Sequence, residues 1–293
     1  MDETIIITSK LLLALVIPLI GSIIVMLLGK DENLRETISS VSSVALFVVV
    51  CSMIPTIFAG QTLYYNLFTI LPNVTISLRA DPMSMIFAMV ASSLWTIAVF
   101  YSMGYMRGLN EHAQTRFNAC FAIAIFGAIG VAFSDNLFTM YLFYEIVSIS
   151  TYPLVAHHQD QEGYDGGRKY LVYLTATAKA FLLPAMILIY VLTGTLDFAT
   201  DISTGIFPDG VNKGLVTMLY IFCLFGFAKN GIMPFHHWLP GAMVAPTPVS
   251  ALLHAVAVVK VGVFCTTRVM LYVFGVDLMD ALNLGVPTAY FVG

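Results

Sequence analysis

The chain has 293 residues, 59% of them hydrophobic and only 10% charged, with a formal net charge of −4. Soluble domains carry about 45–50% apolar and about 25% charged residues, so the composition excludes an ordinary water-soluble domain, and no basic patch points to nucleic acid. Cys51, Cys120, Cys223 and Cys265 are scattered through apolar segments without CxxC or CxxH spacing, which indicates neither a disulfide framework nor a metal or iron–sulfur centre.

The apolar residues come in long blocks, and a span needs about 20 of them to cross the hydrocarbon core. Taken in chain order, they predict membrane spans at 5–28, 38–59, 83–104, 116–134, 137–156, 170–194, 214–235 and 247–272. Asp2 and Glu3 precede the first block, which has no small-residue cleavage site and reads as a span, not a signal peptide. Between the second and third spans, residues 60–80 (GQTLYYNLFTILPNVTISLRA) are rich in Thr, Tyr, Ile and Val around Pro72–Asn73. That texture predicts a short β-hairpin at the membrane surface. After the eighth span, residues 281–293 are apolar but too few to cross, and read as a ninth span cut short.

Orientation follows from the cationic loops. Lys30, Arg35, Arg107, Arg116, Arg168 and Lys169 fall in the first, third and fifth loops, against Arg79, Lys213 and Arg268 on the other side. This bias puts the odd loops in the cytoplasm, and the N-terminus and hairpin outside.

Charges inside spans carry the functional signal, because each costs at least about 2.5–3.5 kcal/mol at a helix centre unless paired or hydrated. Glu145 lies in the fifth span, Lys179 in the sixth, Lys229 in the seventh, and His254 and Lys260 in the eighth. One such lysine alone would read as a snorkelling side chain or half of a packing ion pair. A Glu, three Lys and a His in four consecutive spans point to proton or sodium transfer, with His236 and His237 as further relays. His254 and Lys260 are six residues apart, too far to touch along one helix, so water or another helix must link them. The seventh span is also broken: Gly231, Pro234, Pro240, Pro246 and Pro248 release backbone groups just after Lys229. Interrupted helices at membrane depth commonly hold ions.

The stretch KNGIMPFHHWLPGAMVAPTPVSALLHAVAVVKVGVF, with LFYEIVSISTYPLV and SLRADPMSMIF, resembles the antiporter-like subunit family. Respiratory complex I, membrane-bound hydrogenases and Mrp-type cation/proton antiporters share that family. The resemblance implies an all-α polytopic fold: three leading helices with the hairpin (1–115), one five-helix repeat (116–272), and a loop with a truncated ninth helix (273–293). It also implies that Glu145 and Lys229 form a coupling pair, that His254 and Lys260 continue the relay, and that Lys179 occupies a more variable position. Expected partners are membrane lipid, other antiporter-like and redox subunits, and H⁺ or Na⁺, in a bacterial or archaeal inner membrane. No cofactor is expected in this chain; redox cofactors would sit in partner subunits. Three readings stand: a proton-translocating subunit of a complex I-like or hydrogenase-like assembly, a Mrp-type Na⁺/H⁺ antiporter subunit, and a non-pumping structural or assembly subunit. With residues 281–293 read as a ninth span cut short, the chain is expected to be either a fragment or half of a split transporter.

Overall fold

The computed structural model describes residues 4–71, 74–208 and 210–292. The Pro72–Asn73 turn lies outside the described residues. The fold is a polytopic helical bundle with a small three-stranded sheet at one end. Strand β1 (Thr4–Ile7) leads into α1 (Lys10–Leu28), followed by α2 (Glu32–Cys51) and the short α3 (Ile54–Phe58). Strands β2 (Gln61–Leu71) and β3 (Val74–Ala80) precede α4 (Pro82–Gly108), α5 (Gln114–Ala132) and α6 (Leu137–Val155). Helix α7 (Gln161–Thr177) passes through a π-turn at Ala178–Leu182 into α8 (Leu183–Thr193). Then come α9 (Lys213–Gly226), the short α10 (Trp238–Gly241), and α11 (Thr247–Ala251). A π-turn at Leu252–Val256 joins α11 to α12 (Val258–Val269), and another at Met270–Phe274 precedes α13 (Val276–Ala281) and α14 (Gly285–Val292).

Among the described residues six helical segments are long and apolar enough to cross a membrane: Lys10–Leu28, Glu32–Phe58, Pro82–Gly108, Gln114–Ala132, Gln161–Thr193 and Thr247–Phe274. Two of the eight expected spans fall short of that standard for physical reasons. Helix α6 carries Glu145, Thr139, Ser148, Ser150 and Thr151 and is correspondingly less apolar. The seventh is helical only over the 14 residues of α9, about 21 Å at 1.5 Å per residue.

Local signals explain the other shifts. Residues 5–7 are not helical as expected; the β-branched Thr4–Ile7 run pairs in parallel with β2, Thr4 opposite Gln61 and Ile7 opposite Tyr64. Helix α2 starts six residues early because the Asp31 side chain accepts from Asn33 N (2.8 Å) and Leu34 N (3.1 Å), capping a polar first turn. Asp160 does the same for α7, accepting from Gly163 N at 2.7 Å, so that helix begins at Gln161. Arg268, assigned to an outer loop from the sequence, is instead fully buried inside α12.

The sheet is bolted to the bundle. β2 and β3 pair antiparallel, and Arg79 N donates to Phe133 O at 2.6 Å. Asn136, the N-cap of α6, donates from Nδ2 to Thr75 O (2.8 Å) while its Oδ1 accepts from Thr139 N (2.7 Å). Asp81 caps α4 reciprocally with Ser84 and pairs with the Arg268 guanidinium. The Arg268 plane also lies 4.2 Å from the Tyr272 ring centroid. Helix α5 packs against α1, α4 and α6, and supplies much of the core.

Candidate ion-transfer site

The break after α9 is built from sequence-local chemistry. Helix α9 gives way to a 3₁₀ turn at Ala228–Asn230, which Gly231 ends with φ +76°, a conformation only glycine adopts freely. The chain then passes Pro234 to a second 3₁₀ turn at Phe235–His237, α10, and a third at Ala242–Val244. Pro240 lies inside α10, Pro246 precedes α11, and Pro248 occupies its first turn, where a missing N–H is harmless. Trp238 is fully buried, and its indole N–H donates to the freed carbonyl of Ala228 at 3.0 Å. Asn230 Oδ1 accepts from Ile232 N (3.1 Å) and its Nδ2 donates to Thr266 Oγ1 (3.1 Å), fastening the break to α12. Gly262 makes that approach possible: a Cβ there would come 2.7 Å from Lys229 C and 2.9 Å from Asn230 Cα.

Lys229 sits in the first 3₁₀ turn and is completely buried. Its ammonium donates to the main-chain carbonyl of Tyr144 on α6 and lies 3.4 Å from the Tyr144 ring centroid. The Tyr144 hydroxyl in turn donates to Gly226 O and accepts from Lys229 N, both at 3.4 Å. Glu145, the next residue on α6, is half-buried, and its Oε1 is buried without a protein hydrogen-bond partner. Among the described residues Glu145 and Lys229 form no ion pair within 4.0 Å. Lys229 and Lys179 are nevertheless the cations whose fields act on Glu145.

The remaining expected residues occupy distinctive backbone. Lys179 lies in the π-turn at Ala178–Leu182 and His254 in that at Leu252–Val256. Such one-residue widenings recur at functional sites. His254 is partly buried with Nε2 unpartnered; Lys179 and Lys260 are exposed on the surface of the chain. His236 and His237 are also exposed, with His237 6.5 Å from the Tyr173 ring centroid. No hydrogen bond or ion pair among the described residues joins His254, Lys260 or Lys179 to Glu145 or Lys229. The buried Arg268–Asp81 pair was not among the expected residues; the pattern Asp81-Pro82-Met83-Ser84 marks the cap of α4, but no spacing in the sequence links it to Arg268.

The model of the NADH:quinone oxidoreductase/Mrp antiporter transmembrane family matches residues 134–285, and that of the complex I chain 5 N-terminus matches residues 70–118. The chain belongs to the NADH:quinone oxidoreductase/Mrp antiporter family. Relatives named as antiporter subunit mnhA2 are 32% identical over 222 residues in Staphylococcus aureus strain JH9 and 31% over 223 in strain MSSA476. Both alignments cover 75% of this chain but only 27% of the relative, so the chain spans about a quarter of those proteins. The fold is similar to a chain of the membrane-bound sulfane sulfur reductase, an archaeal respiratory membrane complex, with a TM-score of 0.81 and 21% identity. That match covers 96% of this chain and 57% of the other. It is also similar to a chain of the Mrp complex from Dietzia sp. DQ12-45-1b, with a TM-score of 0.77 and 23% identity over 93% of this chain and 29% of that one.

Proposed function

We propose that this chain is a proton-translocating subunit of a complex I-like or hydrogenase-like membrane assembly. The observation that carries the reading is Lys229, wholly buried at a helix break against the residue next to a half-buried glutamate. Among the described residues this ammonium meets a carbonyl and a ring face, and in general burial disfavours such a charge while a nearby carboxylate favours it. In this reading Glu145 swings toward or away from Lys229 as a neighbouring subunit changes state. The proton then passes by way of water toward His254 and Lys260, with Lys179 tuning Glu145. The helices of 116–272 act as one transporter repeat, and redox cofactors reside in partner subunits. The chain would lie in an inner membrane with its N-terminus and sheet outside. In vesicles carrying the whole assembly, Lys229→Ala and Glu145→Gln should each cut driven proton flux by about tenfold or more, as expected for loss of a positioned proton carrier. Flux that survives both changes would instead establish a structural, non-pumping subunit.

The antiporter-subunit name of the Staphylococcus aureus relatives, with the Mrp antiporter half of the family description, favours a second reading, a Mrp-type Na⁺/H⁺ antiporter subunit. It requires proton flux that depends on sodium on the opposite side of the membrane. Flux indifferent to sodium excludes it.

A further inference from the structure

Away from the helix break, two loops at the same end of the bundle bring together side chains that the transfer site does not use. The connection between α4 and α5 carries Glu111 and His112, and that between α6 and α7 carries His157 and His158. The Glu111 carboxylate Oε2 lies 3.7 Å from His157 Nε2, 3.9 Å from His112 Nδ1 and 3.9 Å from His158 Nδ1. One ligand atom from each of Glu111, His112 and His157 falls within 4.8 Å of the other two. The edge of a tetrahedral zinc site is about 3.3–3.5 Å, given zinc–ligand bonds of about 2.0–2.2 Å. These three atoms therefore need to close by only a fraction of an ångström to about 1.5 Å.

A second observation points the same way. The His157 side chain is fully buried, and neither ring nitrogen has a hydrogen-bond partner. A buried imidazole normally satisfies at least one nitrogen, so this one faces the cluster with its bonding capacity unspent. Phe117 packs edge-on against one side of the ring at 5.8 Å, and the His112 ring lies 4.9 Å away. The neighbouring Arg116 guanidinium is turned to the His157 main-chain carbonyl, to which it donates at 3.0 Å.

We propose that Glu111, His112 and His157 bind a divalent transition-metal ion of the zinc type, with water or His158 in the fourth position. Two imidazoles and one carboxylate form a ligand set suited to zinc, and the softness of the imidazoles argues against calcium or magnesium. Bound metal would clasp the two loops together and fix the ends of α4, α5, α6 and α7 at that face.

The test uses the full chain in its native assembly, washed with chelator and titrated with Co²⁺, whose visible absorption reports tetrahedral nitrogen and oxygen ligands. Comparing wild type with His112→Ala and Glu111→Gln removes any contribution from metal sites in other subunits. Wild type should bind one more Co²⁺ per chain than His112→Ala, and Glu111→Gln should weaken that equivalent by about tenfold or more. His112 is half-exposed, so its removal tests ligation without disturbing the core as His157→Ala would. Equal Co²⁺ equivalents in wild type and His112→Ala, or an affinity unchanged in Glu111→Gln, overturns the proposal.

Discussion

At Tyr144 two parts of one residue do different work. Its ring faces the Lys229 ammonium and its main-chain carbonyl accepts the hydrogen bond. Under the proposed function, Tyr144→Phe keeps ring and carbonyl and loses only the hydroxyl's two long contacts of 3.4 Å, so driven proton flux should stay within about threefold of wild type. Tyr144→Ala loses a cation–ring contact of about 2 kcal/mol for a desolvated cation and should depress flux by about tenfold or more, measured in the same vesicles. No sequence signal could have revealed the carbonyl, since every residue type supplies one. The burial of Lys229, by contrast, was legible: the cost of charge in hydrocarbon singled it out, and the structure encloses it completely. At Asp81 burial alone would raise the carboxyl, but the Arg268 guanidinium and the Ser84 N–H outweigh it and hold it below its usual range. A carboxyl depressed in the folded state lends stability above its unfolded value of about 3.9 and loses it as pH falls through the lower folded value. Thermal unfolding in detergent should therefore weaken steeply in acid for wild type and less so for Asp81→Asn. Arg268→Leu at neutral pH strands the carboxylate and should cost about 3–5 kcal/mol.

Among the elements, the long apolar runs were read directly from composition because lipid demands them. Their ends were not, because caps such as Asp31 and Asp160 extend helices into polar sequence. The β1–β2 pairing was hidden for another reason: four residues joined to a strand more than fifty positions away carry no local periodicity. The break after α9 was announced by its prolines and Gly231, but the two π-turns holding Lys179 and His254 were not, since a one-residue widening leaves no mark on hydropathy. The contact at Gly262 is a test of the element, not of a side chain. Gly262→Ala would drive a methyl into the Lys229–Asn230 backbone, and overpacking of this kind costs about 1–3 kcal/mol. It should lower the melting temperature and proton flux together without changing subunit composition.

For the molecule as a whole, the bundle has two unlike ends: a sheet woven into α4 and α6 at one, and broken helices with the histidine-bearing loops toward the other. The proposed orientation predicts that Thr69→Cys, on β2, reacts with a membrane-impermeant maleimide from outside the cell, and Asn33→Cys, at the start of α2, only after permeabilisation. The reverse labelling pattern would invert the chain. The buried Asp81–Arg268 pair closes this architecture across 187 positions of sequence. A membrane protein is inserted as it is synthesised, at about 5–20 residues per second, so Asp81 would wait roughly 10–40 s for its partner to emerge. During that interval its capping box with Ser84 can hold the carboxylate. The pair therefore closes only once α12 has been made, and until then the Asp81 carboxylate has its Ser84 cap and the neighbouring Arg79 but not the Arg268 guanidinium.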